Sequence, residues 1–168
     1  YQQISNLLEE QRLAGKLPKE AELRYRTVAD FTYDWEYWRN PDGTLQYVSP
    51  ACERITGYSV SHILEHPNIL QEIVLPEDMH IWEKHGQEIE SEYTAREIRF
   101  RVRRRDGEVI WLEHTCQPVN SPSGLFIGYR ASNRDVTERV RTRRSLRKRE
   151  EQYRLLAENM SDFIWVTD

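Results

Sequence analysis

The side chains most able to do chemistry in this chain are its five histidines and two cysteines. His62, Glu65 and His66 match the HxxEH spacing of zinc peptidases, a pattern that needs both imidazoles on one sustained helix and a third ligand from elsewhere. Pro67 follows at once, so the predicted helix is too short to aim two rings at one ion. His80 and His85 are five apart on the next predicted helix, a spacing that sends them to divergent faces and prevents joint chelation. Cys52 falls in a predicted helix and Cys116 in a predicted strand, without CxxC spacing. Both read as buried small hydrophobes in a reducing compartment, in preference to a disulfide or a reactive thiol. No P-loop, nucleophile elbow or dinucleotide glycine fingerprint occurs. The expectation is a chain with no catalytic residue and no metal site.

Elements to carry a binding function are legible in the hydrophobic pattern. Ile4, Leu7 and Leu8 have helical spacing until Gly15 and Pro18 interrupt it, and residues 19–29 predict a second helical stretch. Phe31, Tyr33 and Trp35 alternate as in a half-buried strand. Asn40-Pro41-Asp42-Gly43 then predicts a turn, returning residues 44–48 antiparallel as a first hairpin. The stretch Tyr47 to Ser59, YVSPACERITGYS, runs from a strand end into a short helix that stops at Gly57. Short helical pieces follow, punctuated by Pro67, and Pro76-Glu77-Asp78 suits the first turn of a longer helix to about Ser91.

Beyond Glu97 strict alternation resumes. Ile98, Phe100 and Val102 face one way and Arg99, Arg101 and Arg103 the other, with Asp106-Gly107 as a hairpin turn. A third long strand follows Pro122-Ser123-Gly124. Two strands, a helical middle and a three-stranded meander predict an α/β (α+β) fold: one five-stranded antiparallel sheet with helices on one face, the first hairpin pairing with the meander's edge. Both faces of residues 109–116 carry apolar side chains, so the sheet's back needs its own cover, from the N-terminal helix or a partner chain.

Bulk composition fits one domain with helical extensions. Of the 168 residues, 38% are hydrophobic, 11% aromatic and 31% charged, with net charge −4 and mean hydropathy −0.81. That balance supports a core under a heavily solvated surface. No run approaches the roughly 18 apolar residues that span a bilayer, and no secretory signal opens the chain. The expectation is a cytoplasmic protein whose fragment makes no membrane contact. The chain opens at Tyr1 and stops at Asp168 inside a strand-like pattern, so it reads as an excised piece. The arginine-dense stretch from Arg139 to Arg149 lacks interleaved aromatics and includes Glu138 and Glu150 at its margins, which favours a solvated helix over a nucleic-acid surface.

Four segments in order now carry a resemblance: YVSPACERITGYS, Pro76-Glu77-Asp78, RRRDGEVIWLE from Arg103, and GLFIGYRASNRDVTER from Gly124. Together they resemble a PAS domain of the S-box type with its C-terminal PAC segment, over residues 25–139. The resemblance implies a sensory module of a signalling protein, with a possible small-molecule ligand in a cleft between sheet and helices. Residues turned toward that cleft by alternation or helix phase are Trp35, Ile55, Ile69, Ile81, Phe100, Trp111 and Ile127. Parity sends Arg99 away from it, leaving Glu113 or Arg99 as poor polar contacts.

At the exit, Asp135 and Glu138 have capping-box spacing. In PAS domains an Asp-x-Thr corner passes a change in the sheet to the following helix, and Asp135 and Thr137 hold those positions, with Glu138 beside them. The resemblance also bears on cofactors. No histidine sits at the position of haem-binding PAS domains, where Glu83 stands, and the short helix at Asn68 to Gln71 lacks the cysteine that forms a flavin adduct. Haem and covalent flavin are disfavoured, and no cofactor is expected to be obligatory.

The outgoing helix places Leu146, Tyr153 and Met160 at seven-residue steps, a seam interrupted by Arg143 and Glu150, which suggests a homodimer through the flanking helices or the sheet face. Tyr153-Arg154 and Ala157 echo Tyr25-Arg26 and Ala29, and Phe163-Ile164-Trp165 echoes Tyr33-Asp34-Trp35. The expected organisation is therefore an N-terminal helical segment (1–24), a PAS/PAC domain (25–139), a linker helix (140–152) and the start of a second PAS domain (153–168). Tandem sensory domains imply adjacent PAS and output domains, those of a sensor histidine kinase or else a GGDEF/EAL cyclic-dinucleotide enzyme. The alternative is a ligand-free PAS spacer that dimerises.

Overall fold

The computed structural model describes residues 23–24, 26–92 and 96–161. The helix expected near the N-terminus and residues 162–168 of the repeat lie outside the described residues. Residues 26–30 are helical (α1). Five strands follow in one sheet: β1 (Trp35–Arg39), β2 (Leu45–Val48), β3 (Arg96–Arg103), β4 (Val109–Asn120) and β5 (Phe126–Asp135). Their spatial order is β2-β1-β5-β4-β3, every neighbour antiparallel, so the first hairpin joins the meander through β1 and β5.

Strand β1 begins later than the alternation of aromatics predicts. Phe31 and Tyr33 are exposed, whereas Trp35 and Tyr37 are buried. Thr32 is the reason: its hydroxyl donates to the carbonyls of Ala29 and Asp34, making a bend that competes with sheet pairing. The β1–β2 turn forms as read, with the Asn40 N–H donating to Thr44 and the Gly43 N–H to Asn40, and Gly43 at φ 87°.

Between β2 and β3 lie α2 (Ala51–Thr56), α3 (Val60–Glu65), α4 (Ile69–Ile73), a 3₁₀ turn (Pro76–Asp78) and α5 (Met79–Glu92). Gly57 ends α2 at φ 79°, and its missing side chain matters twice: a Cβ there would be strained and would stand 3.1 Å from the Cβ of Arg105. The Arg105 N–H donates to the Thr56 carbonyl at 2.9 Å, which ties the end of α2 to the β3–β4 turn.

Helices α2 to α5 cover one sheet face, and the core lies between, built on Trp35, Ile55, Phe100, Val102, Ile110 and Leu112. The other face is charged, with ion pairs Arg99–Glu113 (2.6 Å), Arg130–Glu36 (3.3 Å) and Arg134–Asp34 (2.7 Å). Part of this face is covered from within the chain. Helix α1 lies over β1 and β2, where the Tyr47 hydroxyl donates to Asp30 at 2.9 Å. Helix α6 (Thr137–Ser161) begins over β4, with the Arg144 guanidinium 5.2 Å from the Trp111 ring centre.

One edge of the sheet is closed by an acidic side chain. Asp78, buried at the start of α5, accepts the Arg101 backbone N–H (2.7 Å), its Nε (2.8 Å) and its Nη2 (2.6 Å). The Leu75 N–H donates to the Arg101 carbonyl at 3.0 Å, so both backbone groups of an edge-strand residue are satisfied by the segment that opens α5.

Candidate functional site: the sheet–helix cleft and its exit corner

Two cavities open between the sheet and α3 to α5. The larger, about 190 Å³, is lined among others by Tyr37, Arg39, Trp82, His85, His114 and Cys116. A smaller space of about 40 Å³ lies beside it, and Tyr37, Arg39 and Trp82 border both. Arg39 guards the shared mouth, donating through Nε to Gly43 and through Nη2 to the Pro67 carbonyl and Asn68 Oδ1. The indole N–H of Trp35 is buried without a hydrogen-bond partner among the described residues.

The cleft floor comes from β4. Leu112, His114 and Cys116 alternate inward, so Trp111, Glu113 and Thr115 point to the back. This corrects the expectation for Trp111: its ring lies on the opposite face, between Arg101 and Arg144. Of the other expected residues, Trp35 and Ile69 line the smaller cavity. Ile55 and Phe100 are buried core that borders neither cavity, Ile81 is half-buried outside them, and Ile127 contributes a carbonyl that accepts from Trp38 Nε1 at 3.4 Å.

His114 has a defined tautomer. Asn133 donates its amide to the Trp35 carbonyl at 3.1 Å, an oxygen that can only accept, so Asn133 Oδ1 faces His114 Nδ1 at 2.8 Å. Nδ1 therefore carries the proton and Nε2 the lone pair. Burial pulls the His114 pKa down to about 3, with the Asn133 bond opposing that and His85 reinforcing it, so the ring is neutral near pH 7. Burial also pushes the Cys116 thiol up to about 12 and raises the Tyr37 hydroxyl.

His85 from α5 meets this floor, its ring perpendicular to that of His114 with centres 5.0 Å apart. Ligand atoms of His85, His114 and Cys116 all lie within 4.8 Å of one another, and all three residues are buried. Sequence reasoning missed this group because it paired each residue with its chain neighbour of the same type. The usable signal was the two-residue step from His114 to Cys116 on one strand face. His62 and His66, by contrast, stack at the surface with ring centres 4.3 Å apart, and α3 ends before His66.

The exit corner is built on the back side of the same strand. The Val136 N–H donates to the Trp111 carbonyl at 2.9 Å, and the Trp111 N–H donates to the Thr137 hydroxyl at 2.9 Å. Asp135 Oδ1 accepts the Thr137 N–H at 2.9 Å. Glu138 does not turn back to complete the box. Its carboxylate takes Arg141 Nη1 at 3.1 Å, because the chain before it is still held in the β5 ladder. Asp135→Ala is expected to weaken the first turn of α6 by about 1 kcal/mol. Amide exchange at residues 136–140 should accelerate roughly fivefold, and unchanged protection there would refute the cap.

Comparison with known proteins agrees with this geometry. The family model for the PAS fold matches residues 45–133. No curated protein matches the chain. Among solved structures, a PAS domain from Colwellia psychrerythraea superposes with TM-score 0.57 at 24% identity, over 69% of this chain and 98% of that one. A sensory box histidine kinase/response regulator from Burkholderia thailandensis gives TM-score 0.58 at 23% identity, over 78% and 98%. An RNA-binding light-oxygen-voltage receptor gives 0.59 at 26% identity, over 89% of this chain but 39% of the receptor. The chain belongs to the PAS-fold family, whose model covers just over half of it. No helix among the described residues is long and apolar enough to cross a membrane.

Proposed function

We propose that this chain is the sensory or relay module of a cytoplasmic signalling protein, most simply a sensor histidine kinase, that passes a change in the cleft to α6. The observation that carries the reading is the double use of β4. His114 and Cys116 form the cavity floor, and three residues before His114 the backbone of Trp111 holds the first turn of α6 through both its N–H and its carbonyl. An occupant that favours one position of β4 thereby favours one position of the helix. Exposed Leu146, Tyr153 and Leu156 on α6 support pairing with a second copy in the intact protein.

The test fills the cavity without a ligand. Gly86 lines it on α5, and a Cβ there meets nothing within 4 Å, so Gly86→Leu places a side chain in the space. Amide exchange at residues 136–144 should change, and Thr137→Val, which removes the acceptor for the Trp111 N–H, should abolish the response while itself costing about 1 kcal/mol. Unaltered exchange in α6 on filling the cavity would refute the relay. The cavity's volume supports a second reading, since about 190 Å³ is below the roughly 300 Å³ at which organic-ligand pockets begin. A ligand-free spacer predicts no bound molecule in denaturing mass spectrometry and no thermal shift with any metabolite.

A further inference from the structure

We propose that His85, His114 and Cys116 form a three-ligand site for a d¹⁰ transition-metal ion, copper(I) or zinc(II), with its open position facing the cavity. Two imidazoles and one thiolate are a borderline-to-soft donor set that these ions share. In such a site, bonds of about 2.0 Å to nitrogen and 2.3 Å to sulfur place the ligand atoms roughly 3.3 to 3.7 Å apart. The three ligand atoms here lie within 4.8 Å of one another, so movements on the order of 1 Å close the site.

The surroundings prepare the ligands. Asn133 fixes the proton on His114 Nδ1 and leaves the Nε2 lone pair for the ion, the outer hydrogen bond that metal-binding histidines typically have. Trp82 packs edge-on to His114 with ring centres 5.3 Å apart and tilted against His85 at 6.1 Å, which limits rotation of both rings. The elements are also independent: α5 supplies one ligand and β4 the other two, so an ion would fasten the long helix to the strand that holds α6.

Binding releases the Cys116 proton to solvent and involves no electron transfer. Charge then separates the two ions. Copper(I) with one thiolate and two neutral imidazoles is uncharged, as a buried site favours, whereas zinc(II) retains one positive charge and calls for an anionic fourth ligand from the cavity. This site goes beyond the relay: it requires only that the three groups meet, and it is read by binding, not by exchange in α6.

Full-length chain stripped with a chelator is titrated with cobalt(II) as a stand-in for zinc, then with zinc(II) and copper(I) against a chromophoric competitor. One ion per chain is expected, with a thiolate-to-cobalt charge-transfer band in the near ultraviolet and a rise in the unfolding temperature. Cys116→Ala should remove the band and weaken binding by roughly 100-fold or more, while Cys52→Ala and the surface variant His62→Ala retain both. Circular dichroism of each metal-free variant separates loss of a ligand from loss of the fold. Tighter copper(I) than zinc(II) identifies the neutral complex, and tighter zinc(II) in the presence of a small anion identifies the four-coordinate one; either supports the site. Absence of both a cobalt band and copper(I) binding in the folded wild-type chain, or binding that survives Cys116→Ala and disappears with His62→Ala, overturns it.

Discussion

Asp78→Ala is expected to destabilise the fold by about 3 kcal/mol, a large effect for one substitution at the start of a helix. The carboxylate is buried and accepts three hydrogen bonds from one residue, Arg101, two of them from the guanidinium and one from the backbone. Charge-assisted bonds of this kind contribute more than neutral ones. Their removal also leaves the Arg101 N–H without its acceptor on the β3 edge. The guanidinium is partly exposed and recovers some hydration, which keeps the expected cost well below that of a fully buried pair. Asp78→Asn retains an acceptor and should cost about half as much. Urea unfolding measures both, and equal costs for Ala and Asn would show that the acceptor kept by Asn contributes nothing and that the whole effect lies in the charge. The guanidinium of Arg101 holds the Asp78 carboxyl below the usual carboxylate range, chiefly through side-chain hydrogen bonding. This stabilisation is complete above about pH 4, the unfolded value, and is lost as pH falls through the depressed folded one.

Acid should act on a second group in a different window. In metal-free protein, the folded pKa of His114 is about 3 against 6.5 for the unfolded ring, and a depressed histidine pKa means that the unfolded chain binds the extra proton. Above pH 6.5 this contributes nothing. As pH falls from 6.5 toward 3, stability decreases by about 1.4 kcal/mol per pH unit, a loss on the order of 4 kcal/mol over the interval. The groups facing the ring are His85 from α5, Tyr37 from β1, Cys116 on its own strand and Asn133 from β5, none of which carries a negative charge near neutral pH that could offset a buried imidazolium. His114→Gln should flatten the stability profile between about pH 6.5 and pH 4, where Asp78 does not yet titrate. A wild-type profile that is flat over that range would show that the ring is protonated without penalty.

Much of the architecture was legible because local chemistry and the global fold agree. Asn40 to Gly43 and Asp106-Gly107 are turns by backbone preference, and both form hairpins. Alternation through β3 assigned Phe100 and Val102 inward, where they are fully buried. Strand β1 was read too early because exposed Phe31 and Tyr33 share the parity of Trp35, and side-chain type alone does not reveal the bend that Thr32 makes. Trp111 was misplaced for a related reason. A tryptophan on a strand with apolar residues on both faces has no sequence mark of its side, and arginines from β3 and α6 provide it with cover that hydrophobicity does not anticipate.

The site was less legible than the fold. Asp135 and Thr137 could be singled out because a cap and its acceptor are neighbours in the chain. The Trp111 N–H that completes the corner comes from another strand, and its pairing with Thr137 follows from the β4–β5 register, which fixes Leu112 opposite Asp135. The cavity group needs still more, since the distance between His85 and Cys116 depends on how α5 is seated on the sheet. Asp78 seats it, and that carboxylate read in sequence only as a favourable charge at a helix start.

The length of α6 gives the corner a mechanical consequence. Its 25 residues make a rod of about 37 Å, anchored to the sheet at its first turn. Such a rod is a lever with a short inner arm, and a tilt of roughly 5° at Thr137 sweeps its far end through about 3 Å. Movements of less than a bond length beneath Trp111 therefore become displacements comparable to an atomic diameter at Ser161, with the gain set by the number of helical turns and not by the chemistry in the cleft.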